Sequence, residues 1–110
     1  MDMIDALIEK HIIEFDSDGF FTDPQQWNPR IADWLAIHDG MDHLTIDQWT
    51  IISSLRDYYF KFGHAPTGRH VCQINHMDKH CIATFFHEHY KEAWRLAGLP
   101  NPGEETKTYM

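Results

Sequence analysis

A chain of 110 residues with 43% hydrophobic and 14% aromatic side chains can bury one core and is too apolar to stay unfolded. Its net charge of −8 opposes binding to phosphate backbones, and no stretch approaches the roughly 18 apolar residues that span a bilayer. The first residues lack a secretory signal's apolar run, and two cysteines nine apart do not make a disulfide framework, so a cytoplasmic protein with reduced thiols is expected.

The chain opens on a segment that reads as a small β-meander. Leu7 to Glu9, Ile12 to Phe15 and Gly19 to Phe21 are short strand candidates, with Asp16-Ser17-Asp18-Gly19 as a turn. Met1 to Lys10 also fits a frayed helix. Asp23-Pro24 then breaks the run. Asn28 is a good N-cap and Pro29 fits the first helical position, so a helix follows with Ile31, Trp34 and Leu35 on one stripe, ending at Asp39-Gly40.

The second predicted helix has the stronger start. Thr45 and Gln48 form a capping box, flanked by Leu44 and Trp49 at the positions of a hydrophobic staple. Apolar residues from Ile51 to Phe62 cover more than one face, which marks this helix as central, and Gly63 stops it. Further helices are expected over Thr67 to Met77, Asp78 to Phe86 and Glu88 to Ala97, the last closing on Gly98 with Pro100 beyond. The expected architecture is an α+β domain over residues 1–102, a small N-terminal β-meander against four to five helices, with an extended, flexible C-terminal arm at 103–110.

Charge divides the chain. Residues 1–55 carry eleven acidic side chains against Lys10 and Arg30, whereas residues 56–95 carry six basic and four acidic ones plus six of the nine histidines. The second half suits an acidic partner surface; the plainer alternative is an ordinary solvated acidic surface that aids solubility. A helix-turn-helix around Ala65 to Met77 would suit nucleic acid, but the overall charge speaks against it.

Read in order, the residues resemble a known family. Asp16-Ser17-Asp18-Gly19-Phe20, Trp27-Asn28 with Ile31-Ala32, and Leu44-Thr45 with Trp49 come first. Leu55-Arg56-Asp57-Tyr58-Tyr59, Phe62, Ala65-Pro66 and Arg69 follow, and Ala97-Gly98-Leu99-Pro100 with Pro102 closes the set. Together they are similar to the TusE/DsrC/DsvC family of sulfur-relay proteins, which includes the gamma subunit of dissimilatory sulfite reductase. The resemblance implies a protein partner of a sulfur-relay or sulfite-reductase-like system, and no cofactor is expected; the charge and hydropathy above speak against nucleic acid as a partner and give no membrane contact. It also implies a carrier cysteine near the end of the arm and, in redox-active members, a second one just before the Arg-x-Ala-Gly-Leu-Pro run. Here Tyr109 stands at the first position and Trp94 at the second. The stretch ahead of the last helix is shortened, with Phe85-Phe86-His87-Glu88-His89 in place of the family's Phe-Pro-x-Gly-Pro turn.

Persulfide transfer needs an accessible thiolate, which tryptophan and tyrosine do not supply. The expectation is therefore a family member that has lost transfer and acts by binding or regulation, with no catalytic residue. Arg56, Arg69, Trp94 and Tyr109 are the candidates for holding the arm or a partner; salt bridges for the arginines and core packing for Trp94 are the plainer alternatives. A sulfurtransferase or redox switch built on Cys81 or Cys72 is the competing reading, against which stands burial as small apolar residues. Cys72, His76 and His80 recur every fourth residue, with His87 and His89 beyond, but the spacing is not that of a strong zinc motif and scattered surface histidines account for it.

Overall fold

The computed structural model describes residues 3–10, 12–87, 89–108 and 110, and it is helical, with no strand or sheet among them. The helices are α1 (Met3–Glu9), α2 (Pro29–His38), α3 (Ile46–Phe62), α4 (Gly68–Ile74), α5 (Cys81–Phe85), α6 (His89–Leu96) and α7 (Glu104–Thr108), with a 3₁₀ turn at Pro24–Gln26.

The expected N-terminal meander is not present. Ile4, Leu7 and Ile8 share one helical face, and all three are packed at the core, Ile4 fully buried, so the first segment winds into α1 instead of extending. Between Ile12 and Thr22 only one antiparallel bridge forms, Phe15 with Phe21. The ladder cannot grow because side chains occupy its next positions. Glu14 N–H donates to Gln26 Oε1, Gln26 Nε2 donates to the Ile12 carbonyl, and Asp16 Oδ1 takes the N–H groups of Asp18 and Phe20. Gly19 turns the chain here at φ +87°.

The caps of α2 and α3 fall where local chemistry puts them. Asn28 accepts from the Ile31 N–H, and Thr45 and Gln48 exchange both bonds of the capping box. Gln48 has a second use, donating from Nε2 to the Phe85 carbonyl at 2.7 Å and so fastening α3 to the end of α5. The Ile51, Ile52 and Leu55 side chains are completely buried, and α4, α5 and α6 pack around α3. Its C-terminal aromatics turn outward instead, Phe60 and Phe62 being about half exposed.

The third and fourth predicted helices are shorter than expected. Asn75 ends α4, with Nδ2 bonded to the Val71 carbonyl and Ser54 Oγ, and the left-handed residue His76 (φ +57°) reverses the chain toward α5. In place of a fully extended arm, the chain beyond Pro102 contains α7. No helix is long and apolar enough to cross a membrane among the described residues.

Candidate functional site

The C-terminal end of α6 and the run Ala97 to Pro102 are held by three side chains from three elements. Trp27 donates from Nε1 to the Leu96 carbonyl, Arg56 from Nη1 to the Ala97 carbonyl, and Trp94 from Nε1 to the Pro100 carbonyl, each at 2.7 Å. A second Arg56 bond reaches the Pro24 carbonyl, and the guanidinium stacks 4.0 Å from the Trp27 ring centre and 5.0 Å from that of Phe60. Partial burial lowers the Arg56 pKa, with Asp57 opposing the effect. Gly98 sits under Trp27 at φ +70°, and a Cβ there would lie 2.1 Å from the indole Cδ1. The backbone at the root of the arm is thus fixed by an aromatic lid, two indole N–H bonds and one cation-assisted bond.

Further out, the tail meets the Asp16–Gly19 turn. Asn101 Nδ2 donates to Asp16 Oδ2 and Asp18 Oδ2, its own Oδ1 accepts from the Gly103 N–H, and Lys107 Nζ bridges Asp18 at 2.7 Å and Glu104 at 2.8 Å. Burial would raise the Asp16 pKa, but donors from Phe20, Asn101 and Asp18 outweigh it and hold the carboxyl below its ordinary value. Lys107 and Asn101 do the same for Asp18, and Asp18 with Glu104 raises the Lys107 pKa. The same turn is fastened to α6, where Arg95 donates from Nε to the Gly19 carbonyl and pairs with Asp39. At the end of the tail, Thr106 and Met110 border a hollow of about 350 Å³ with Pro66, Gly68 and Tyr90. Burial pushes the Tyr90 pKa up, and its hydroxyl donates to the Pro66 carbonyl.

The two cysteines overturn the expectation of reduced thiols: Cys72 and Cys81 form a disulfide joining α4 to α5. The reversal through His76 brings the two short helices back to back, placing the Cα atoms 5.8 Å apart, within bonding range. Both residues are buried, at 1% and 2% exposure. Bonded sulfur is no thiolate ligand, so the Cys72, His76 and His80 set is not assembled, and no group of three potential ligands gathers among the described residues. Arg69 is exposed and lies outside the hollow that Met110 borders. Trp94 is buried at 1% exposure, edge-on to Tyr59. Tyr109 lies outside the described residues.

Residues 7–104 match the family model described as DsrC like protein. The chain belongs to the DsrC-like family. The sulfurtransferase TusE of Buchnera aphidicola subsp. Acyrthosiphon pisum is 28% identical over 82% of this chain and 85% of that protein. Among solved structures, the oxidized gamma-subunit of the dissimilatory sulfite reductase (DsrC) from Archaeoglobus fulgidus superposes with a TM-score of 0.71, at 31% identity over 84% of this chain and 90% of that one. A crystal structure of dissimilatory sulfite reductase I contains a chain that matches with a TM-score of 0.75, at 29% identity over 84% of this chain and 89% of its own.

Within this DsrC-like frame, the residues that fasten the arm are only partly those expected. Arg56 and Trp94 lie at its root and Arg69 does not. Trp27, Asn101 and Lys107 were not among the candidates. Trp27 had a signal, since a glycine after the last helix invites a close neighbour. Asn101 and Lys107 had none, because a polar tail beyond two prolines reads as solvated chain.

Proposed function

We propose that this DsrC-like protein docks to a protein partner of a sulfur-relay or sulfite-reductase-like system without carrying sulfur itself, in a cytoplasmic setting. The observation that carries the reading is the state of its sulfur. Persulfide transfer requires a thiolate to attack the outer sulfur of a donor persulfide, forming one S–S bond as another breaks and the donor thiolate leaves. Residues 82–110 contain no cysteine, and the only two in the chain are buried and bonded to each other. Trp94, at the position matching the second family cysteine, contributes an indole N–H to the arm root instead of a nucleophile.

Intact mass spectrometry of the native protein after incubation with a persulfide donor tests this. The expected spectrum is unchanged. A species heavier by one sulfur atom, absent from a Cys72→Ala/Cys81→Ala variant, would establish a carrier.

The bonded pair favours one other reading, a dithiol–disulfide switch that takes two electrons and two protons from a cellular dithiol. Such a switch would let reduced and oxidised forms differ in partner affinity. Burial of both sulfurs opposes it by limiting thiol access. A dithiol titration at physiological potentials that leaves the bond intact removes it.

A further inference from the structure

One groove brings together two of the nine basic side chains of this acidic chain. Three adjoining hollows, of about 240, 250 and 250 Å³, lie along α4 and the turn leading into α5, and Arg69 and Lys79 line all three. Gln73 lines the first, His80 the other two, and Ile82 and His89 the last. Arg56, Arg95 and Lys107 are occupied by carbonyls or carboxylates, but Arg69 and Lys79 are exposed and pair with no carboxylate among the described residues. Asp78, beside Lys79 in sequence, is turned to the His80 N–H at 2.9 Å. Two unneutralised cations on the walls of one groove attract anions.

The groove's form restricts what anion it suits. Its hollows are open to solvent around the Arg69–Lys79 pair, which suits a flexible peptide segment better than one enclosed oxyanion. Arg69 offers a planar fork for a carboxylate and Lys79 a point charge. The disulfide joins the two walls, since Cys72 lies one turn after Arg69 on α4 and Cys81 two residues after Lys79. Spacing fixed in this way lowers the ordering cost of binding. The overall charge of −8 opposes a long polyanion, so a short acidic stretch is favoured over nucleic acid.

We propose that the Arg69–Lys79 groove binds an acidic segment of the partner protein, its carboxylates engaging these two side chains. This rests on the docking reading above and names the chemistry of the partner. The test is fluorescence anisotropy of a labelled oligoglutamate peptide with the full chain, alongside amide shift mapping by NMR. The expected result is salt-sensitive binding that shifts Arg69, Gln73, Lys79 and His80. Loss of charge-assisted contacts in Arg69→Ala/Lys79→Ala should weaken it roughly tenfold or more. Unchanged circular dichroism would show that variant folded, and Lys79→Arg should retain binding. The proposal is overturned if the peptide does not bind or binds the double variant equally, or if inorganic phosphate or duplex DNA competes as well as the peptide. None of those outcomes touches the sulfur reading, which fails only if the native chain loads sulfur.

Discussion

Arg56 stands midway along α3 among apolar residues, and its position alone says that the guanidinium needs partners. Which partners it finds is a matter of tertiary structure: the carbonyls of Ala97 and Pro24 are 41 and 32 residues away. Removing the side chain in Arg56→Ala leaves both carbonyls short of a donor and the Trp27 face uncovered. The expected loss is about 2–3 kcal/mol in urea unfolding, with Arg56→Lys recovering only part because it lacks the fork. Gly98→Ala meets a different obstacle, a Cβ 2.1 Å from the Trp27 ring atop a positive φ. It should lower the urea midpoint more than an alanine at Gly40, also at positive φ but with no atom within 4 Å of its Cβ site. Equal losses at the two glycines would mean that Trp27 yields freely.

At the scale of elements, legibility followed the range of the forces. The caps of α2 and α3 depend on residues three apart, and the sequence displays them. The meander failed because the hydrogen bonds that stop the Phe15–Phe21 ladder come from Gln26 and Asp16 side chains, whose targets no pattern reveals. The disulfide was missed for a related reason: spacing alone does not show that α4 and α5 fold back on each other. By loop-closure entropy its reduction should destabilise the fold by about 2.5 kcal/mol, measurable as a lower melting temperature in the presence of a dithiol. An unshifted transition in protein whose two thiols are shown by alkylation to be free would contradict a structural role.

The tail clasp is also an element-scale feature and carries a pH signature. Asp16 and Asp18 titrate below their ordinary 3.8 when folded, so their contribution holds above that value and disappears as pH falls through the lowered pKa values. Lys107 titrates above its ordinary 10.5, so its contribution holds below that value and goes as pH rises through the raised pKa. NMR signals of Asn101 and Lys107 should therefore change at both extremes before those of Ile51 and Leu55 in the core.

Across the whole molecule, the order of family residues from Asp16 to Pro102 was enough to place the chain, although no strand prediction survived. Ordered motifs report ancestry even where local propensity misleads. Of the arm root, Arg56 is legible because an arginine in an apolar helix needs partners, and Trp94 because the family resemblance singles out its position. The Asn101–Lys107 clasp is not, being built from residues common in any polar tail. Labelled sulfur tests most directly whether this protein lacks a reactive thiol. With a persulfide donor bearing ³⁵S in its outer sulfur and an acceptor thiol present, label is expected to stay off this protein and to reach the acceptor no faster than without it. Label found covalently on the chain and passed on to the acceptor would contradict the account.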